Sequence, residues 1–301
     1  MNETRQIMLC SDMDRTIIPN GKAAESPEAR RILQKLAKRP ELTVVYVTGR
    51  DTGLIAEAIH TWDLPLPDYA VGDVGTAIYT VGGTPDNPEF VEWEDWQAEI
   101  GADWDGWKRE DVAAMLSDLD MLTLQEPEKQ KIFKLSYYLD RNLDANQDPN
   151  HDLEMLAKRI GVRLREKGVR ASVITSIDEM ADTALLDILP EHATKAHAIY
   201  FIMSKLKVPE ARVVYAGDSG NDLPVLTSGL NAVIVKNAAD DVVRQALSAL
   251  SGKGRKSRLY QAKGGFLGMN GNYSAGVLEG LAYFIPETKK WMPAEVEIEA
   301  S

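Results

Sequence analysis

One cysteine stands among 301 residues, and the 34 lysines and arginines fall well short of the 46 aspartates and glutamates. Cys10 alone cannot form an intramolecular disulfide, so a core and not a set of staples must hold the fold, and a reducing compartment suits it. The net charge of −12 repels phosphodiester backbones and anionic lipid, which argues against nucleic acid and membranes as partners and leaves small substrates open. No apolar stretch approaches the roughly 18 residues that a transmembrane helix needs. The N-terminal run MNETRQIMLCSDMDRT breaks into acids too early for a signal peptide's central segment, so a cytoplasmic protein is expected. The four histidines, His60, His151, His192 and His197, are scattered without metal spacing, and no repeat or low-complexity block is present. Nothing in the sequence specifies an oligomeric state, and a monomer is compatible with it.

What the chain does have is 44% hydrophobic content, ample for a core at this length. Short apolar runs alternate with longer helical patterns, which predicts strands joined by crossover helices. IMLCS (7–11) reads as a buried strand. Ser26 reads as an N-cap with Pro27 at the first helical position, opening a helix whose Ala29, Ile32, Leu33 and Leu36 share one face. LTVVYVT (42–48) is the next buried strand, followed by a helix through LIAEAIHTW, a strand near DYAVGD and a hairpin in VGTAIYTVGGTPDNPEF. From about Pro88 the texture changes. Trp93, Trp96, Trp104 and Trp107, an amphipathic helix, the alternating strand KIFKLSYYLD (131–140), a helix over 152–166 and the strands VRASVITS and ALLDILP spell an antiparallel sheet with helices on one face. After Pro190 the parallel pattern resumes with a helix over 194–206, the strand RVVYAGD (212–218), a helix from Asp222, the strand NAVIV and a helix from Ala239.

The predicted fold class is therefore α/β, a Rossmann-like parallel-sheet core with an inserted α+β domain. The expected boundaries are 1–87 and 190–285 for the core, 88–189 for the insertion and 286–301 for a loose tail, with hinges near Gly82–Pro88 and Leu189–Glu191.

Ligands of open parallel sheets bind at the carboxyl ends of the strands, so the residues just after each predicted strand bear the chemistry. After the first come Asp12, Asp14 and Thr16, after the second Thr48, Gly49 and Arg50, and after RVVYAG come Asp218, Asn221 and Asp222; Lys195 opens the helix before that last strand. Four carboxylates brought to one point repel each other unless a hard cation sits among them, and oxygen-only ligands suit Mg²⁺. Such a site also holds phosphate, with Lys195 as a point charge, the Thr48 hydroxyl as a neutral donor and backbone N–H groups beside Gly49, Met13 and Asp14 as a cradle. A carboxylate nucleophile next to a second carboxylate that can carry a proton is equipped for a covalent aspartyl-phosphate route.

These four segments, DMDRT, the Thr48 of VTGR, Lys195 and GDSGND, in this order, resemble the haloacid dehalogenase superfamily of phosphatases. The resemblance implies that Asp12 is the nucleophile and that Asp14 protonates the leaving alcohol and then activates water. It implies that Thr48 and Lys195 bind the phosphoryl group, and that Asp12, the carbonyl of Asp14 and Asp218 hold Mg²⁺ with support from Asp222. Superfamily ATPases and dehalogenases generally lack the second acid, so Asp14 points to phosphatase or phosphomutase chemistry. Lys195 lies 147 residues after Thr48 but only 23 before Asp218, so the insertion falls between the second and third motifs. That is the branch with a large α+β cap, which mostly acts on phosphorylated sugars. Within it the chain is most similar to the sucrose-phosphate phosphatase family, through PDYAVGDVGTAIY, VEWEDWQAEI, FKLSYYLD, LLDILPEHATKAHAIYFI, AGDSGNDLPVL and SAGVLEGLAYF, up to about Ile285. The stretch from Asn237 to Ser274, with KGRKSR and GGFLGMNGN, is longer than that pattern. The implied function is a Mg²⁺-dependent phosphatase for a phosphorylated sugar, foremost sucrose 6-phosphate. Other glycosyl phosphates of the mannosylfructose-phosphate, glucosylglycerol-phosphate or mannosylglycerate-phosphate type, and a sugar phosphomutase, are the alternatives.

Several residues have a plainer reading. Cys10 reads as a small buried hydrophobe. The four tryptophans fill a core more often than they stack on a sugar. Lys134 would be a solvated strand lysine but matches a cap lysine of the family pattern, which makes it a candidate sugar contact. Arg50 and Asn221 sit at strand ends, where contact with substrate outweighs a surface role. The run KGRKSR reads as a solvated loop, and His192 as structural. A phospho-accepting receiver domain would need neither the insertion nor Asp14, and a silent sugar-binding protein would bury its carboxylates together to no purpose.

Overall fold

The strands of the computed structural model are, in chain order, β1 (Ile7–Ser11), β2 (Leu42–Val47), β3 (Tyr69–Gly72), β4 (Ala77–Thr84), β5 (Asn87–Glu92), β6 (Leu122–Leu124), β7 (Leu135–Leu139), β8 (Ala171–Asp178), β9 (Thr183–Pro190), β10 (Val213–Gly217), β11 (Asn231–Ile234) and β12 (Leu259–Gln261). The helices are α1 (Pro27–Ala37), α2 (Thr52–Thr61), α3 (Glu94–Gly101), α4 (Arg109–Ala114), α5 (Pro149–Glu166), α6 (Lys195–Leu206), α7 (Leu223–Leu226), α8 (Asp240–Leu250) and α9 (Ser274–Phe284). The described residues are 6–139, 149–178, 183–251 and 256–292. The chain forms two units, Met1–Glu92 with Lys195–Ser301, and Trp93–Thr194.

In the first unit, β1, β2, β10 and β11 are buried along their whole length, which requires a sheet covered on both faces. The sheet order is β12-β11-β10-β1-β2-β3-β4-β5, parallel from β12 to β3 and antiparallel for β4 and β5. Ser11 is level with Ala216 on one side and Tyr46 on the other, so the residues that follow β1, β2 and β10 emerge at one sheet edge. On one face Ile7, Leu9, Val44 and Val214 pack with Ile32 and Leu33 of α1 and Leu278 and Leu281 of α9. The approach of α9 depends on a missing side chain, since a Cβ on Gly280 would lie 2.2 Å from Val233 Cγ2.

The second unit is a four-stranded antiparallel sheet of order β6-β7-β9-β8. Its core joins Leu135, Tyr137 and Leu139 of β7 and Ala184, Leu186 and Ile188 of β9 to Leu153, Leu156, Ile160 and Leu164 of α5. Trp96 and Trp104 are buried, as core tryptophans are, whereas Trp107 is exposed.

The structure corrects four expectations. Residues 88–92 belong to the core sheet, because β5 pairs with β4 from Asn87 to Glu92; the passages between units are at 92–93 and 194–195, and Gly82–Pro88 is hairpin and not hinge. The tail is not loose throughout: Pro286–Trp291 is a 3₁₀ turn, Thr288 and Met292 are buried, and the Arg39 guanidinium sits 4.5 Å over the Trp291 ring. Packing of Trp291 and Met292 against the core outweighs the polar composition that suggested a free end; residues 293–301 lie outside the description. The long stretch after Asn237 holds, besides the expected helix α8, the strand β12, which adds a parallel strand to the sheet edge; Lys253 and Arg255 of KGRKSR lie outside the described residues, as does Asp140 of the predicted strand 131–140. Lys134 precedes β7 in a tight turn in which Lys131 N–H donates to its carbonyl at 3.1 Å.

Candidate active site

The chain leaving β1 wraps around the carbonyl of Met13, which accepts from the N–H groups of Thr16, Ile17 and Ile18 at 3.2, 3.0 and 2.9 Å. That turn buries Asp12 at the sheet edge and leaves Asp14 41% exposed in its side chain, so the two carboxylates are in different environments from the outset. Asp12 N–H donates to Ala216 O at 2.9 Å, which continues the β1–β10 ladder by one residue and fixes its height beside Asp218.

Lys195, buried at the first position of α6, joins the motifs: its Nζ donates to Asp12 Oδ1 at 2.7 Å, to Asp222 Oδ1 at 2.8 Å and to Asn221 Oδ1 at 3.4 Å. Burial alone would lower the Lys195 pKa, but Asp12 and Asp222 outweigh it and hold the ammonium charged. Burial pushes the Asp12 carboxyl above the usual range; Lys195 opposes this, and the charges of Asp222 and Asp218 add to it. Burial likewise raises Asp218, up to about 6, against the pull of Arg15, whose Nε is 3.4 Å from Asp218 Oδ2. Thr16 Oγ1 donates to Asp218 Oδ1 at 3.3 Å.

Asp222 has a different part from its neighbours. Its Oδ1 accepts from Lys195 and from Tyr215 OH at 2.6 Å, and its Oδ2 from the N–H groups of Asp218 and Ser219 at 3.0 and 3.1 Å and from Ser219 Oγ at 3.2 Å. Five donors leave this carboxylate as an organiser of the loop. It fits there because residue 217 is glycine: a Cβ on Gly217 would meet Asp222 Cγ at 2.6 Å.

Asp14 is gripped by Arg50, whose Nε and Nη2 donate to its two oxygens at 2.8 and 2.6 Å, while Asn20 Nδ2 donates to Oδ1 at 2.8 Å. Its partial burial would raise the carboxyl pKa, but the Arg50 hydrogen bonds and charge win and hold it below the usual range. Thr48 is buried at the end of β2 with its Oγ1 3.3 Å from Arg50 N, and Gly49 between them is exposed.

A hard, oxygen-only donor set fits Mg²⁺ here. Among the described residues, one oxygen each of Asp12, Asp218 and Asp222 lie within 4.8 Å of one another, and all three residues are buried, with Lys195 the one ammonium hydrogen-bonded into the group. Burial, with repulsion from the neighbouring carboxylates, raises Asp12 and Asp218, a cost that a bound cation would offset.

The predicted Asp12, Asp218, Asn221, Asp222 and Lys195 thus form one hydrogen-bonded set, and Asp14 with Arg50 forms a second beside it. Lys134 belongs to the second unit and is not part of this set. His192 is tied to Asp103, its N–H donating to Oδ2 at 2.7 Å and its Nδ1 2.8 Å from Oδ1, as a structural residue would be. Burial pushes the Cys10 thiol up, which keeps it inert. Motif reading overlooked Tyr215, Arg15, Asn20 and Ser219. Tyr215 was detectable, since a tyrosine in a fully buried strand needs a partner for its hydroxyl; the others depend on loop conformation.

Comparisons with known proteins give the family. A protein of Nitrosococcus oceani named as a HAD-like hydrolase is 50% identical over 288 residues, 96% of this chain and 74% of its own length. Tobacco sucrose-phosphatase 2 is 28% identical over 252 residues, 81% of this chain and 53% of its own, so the chain spans about half of the plant relative. The structure of the Synechocystis sucrose-phosphatase in complex with sucrose and phosphate aligns over 93% of this chain and 98% of that one, with a TM-score of 0.65 at 24% identity, and so shares the fold. Residues 5–285 match the family described as sucrose-6F-phosphate phosphohydrolase, and the chain belongs to that family of haloacid-dehalogenase-like phosphatases.

Proposed function

We propose that the protein hydrolyses a phosphorylated sugar, foremost sucrose 6-phosphate to sucrose and phosphate, through an aspartyl-phosphate on Asp12. The observation that carries this is the pairing of a buried Asp12, held by Lys195 at 2.7 Å, with a second, more exposed carboxylate two residues on. A Mg²⁺ ion held by Asp12, Asp218 and the carbonyl of Asp14, with Asp222 behind them, would neutralise charge on the phosphoryl group. Asp12 Oδ attacks phosphorus as the ester oxygen departs with a proton from Asp14; water, deprotonated by Asp14, then attacks phosphorus, releasing phosphate and restoring Asp12. Lys195 and Thr48 steady the phosphoryl oxygens, and Gly49 and Asn221 line the same edge. Asp14 is a carboxylate while Arg50 grips it, the state required of the base. A dianionic phosphate competes for Arg50 and raises the proton affinity of Asp14, the state required of the acid. Trp93–Thr194 acts as the cap domain that selects the sugar, with Lys134 as one contact. The partner is a small phosphosugar and not nucleic acid or membrane, and the working compartment is the cytoplasm; no helix among the described residues is long and apolar enough to cross a membrane.

The test is phosphate release from sucrose 6-phosphate, glucosyl and mannosyl phosphate conjugates and hexose phosphates, with and without Mg²⁺. Preference for sucrose 6-phosphate supports the full reading. A preference for another conjugate reassigns the sugar and keeps the chemistry, and transfer of phosphate between sugar positions without release would make it a mutase.

A further inference from the structure

Arg15, the residue after Asp14, has a left-handed backbone with φ of 56°, a conformation that is unfavourable for a residue with a side chain. Two asparagine side chains hold both of its main-chain polar groups. Its N–H donates to Asn20 Oδ1 at 2.9 Å, and its carbonyl accepts from Asn237 Nδ2 at 2.6 Å. Each asparagine uses its other end as well. Asn20 Nδ2 donates to Asp14 Oδ1 at 2.8 Å, and Asn237 Oδ1 accepts from Tyr273 N–H at 2.7 Å. A continuous hydrogen-bonded path therefore runs from Tyr273 through Asn237, Arg15 and Asn20 to the carboxylate of Asp14.

The far end of that path is anchored. Tyr273 is buried, with a φ of 50°, and its hydroxyl donates to Ala23 O at 3.2 Å. Buried Glu279 of α9 accepts from the N–H groups of Lys263 and Gly264 at 2.8 and 2.9 Å, and Lys236 N–H donates to Gly271 O at 3.0 Å. The stretch from Asn237 to Ser274 thus reaches, through Asn237, the backbone next to Asp14.

We infer that Asn237 and Asn20 are positioning residues: by clamping Arg15 in its left-handed conformation they aim Asp14 at the leaving oxygen, and the Asn237–Ser274 segment serves as their scaffold. This rests on the assignment of Asp14 as acid and base above. An aspartate at 237 could still accept from Tyr273 but could not donate to Arg15, and a glycine at 15 would take the left-handed conformation with little cost.

The experiment measures kcat and KM for sucrose 6-phosphate and glucose 6-phosphate with Mg²⁺ in the wild type, Asn237→Ala, Asn237→Asp, Arg15→Gly and Arg15→Gly/Asn237→Ala, with thermal melts confirming that each is folded. Misaiming a reacting group by about 1 Å costs on the order of a hundredfold, so a fall in kcat of about 10- to 100-fold is expected in both Asn237 variants, with KM within about threefold. The Asn237→Ala loss should shrink by about fivefold or more in the Arg15→Gly background, because the clamp then has less to hold. Should Asn237→Ala fail to fold, the isosteric Asn237→Asp carries the test alone. Wild-type kcat in a folded Asn237 variant, or an equal loss in both backgrounds, overturns the inference while the phosphatase assignment stands. A wild type that releases no phosphate from any phosphomonoester in the panel overturns the assignment and the inference with it.

Discussion

Arg50 grips both carboxylate oxygens of Asp14 in a two-pronged ion pair, 2.8 and 2.6 Å long, across the gap between the loops that follow β1 and β2. A guanidinium can make both bonds at once and an ammonium cannot, so Arg50→Lys is not a conservative change. We expect kcat to fall by about tenfold, on the order expected for loosening an acid–base group, with the melting temperature nearly unchanged because the pair is partly exposed. Steady-state kinetics beside a thermal melt decide it.

Asp12→Asn removes the nucleophile we propose and the negative side of the Lys195 bridge. Phosphate release should drop below detection, and acid-quenched enzyme should carry no acyl-phosphate. Turnover at the wild-type rate would falsify Asp12 as the attacking group.

Cation and proton compete for the same buried carboxylates. Asp12 and Asp218 have raised pKa values in the cation-free fold, Asp218 at about 6, so the folded state binds more protons than the unfolded one above an ordinary carboxylate pKa of about 4. These groups therefore make the cation-free protein less stable as pH rises from about 4 through about 6 and just above. Added Mg²⁺ should raise the melting temperature by about 3 °C or more at pH 7.5 and by much less at pH 4.5. Equal shifts at both pH values would show that the ion does not bind at these carboxylates.

Tyr215→Phe keeps the apolar ring in β10 and takes one donor from the buried Asp222. Hydrogen bonds to charged groups contribute about 1.5–3 kcal/mol, so urea unfolding should show a loss of that order. An unchanged midpoint would mean that Lys195 and the loop N–H groups satisfy Asp222 without it.

Gly280→Ala tests the close approach of α9 to β11 in the core. The added methyl would come within 2.2 Å of Val233, and overpacking of this kind costs about 1–3 kcal/mol. The effect should fall on stability, with kcat and KM retained.

The sequence by itself determined the parallel core, the existence of an inserted domain between the second and third motifs, and the candidates Asp12, Asp14, Thr48, Lys195, Asp218 and Asp222 at the strand ends. Buried strands read as continuous apolar runs, and in a parallel sheet the residues that follow them must emerge at one edge. Composition misjudged the ends of elements. The polar, Pro-containing stretch after Ile285 packs Met292 into the core, and the predicted hairpin after Thr80 runs on to Glu92 as part of the main sheet, so the inserted unit begins later than the change in composition at Pro88 suggested. Tertiary structure alone decided which partners each acid has. That Asp222 is saturated by five donors, that Arg50 neutralises Asp14, and that Arg15 is clamped between Asn20 and Asn237 all depend on side-chain geometry across loops up to 222 residues apart. No local pattern encodes such distances; the sheet register and the helix packing set them.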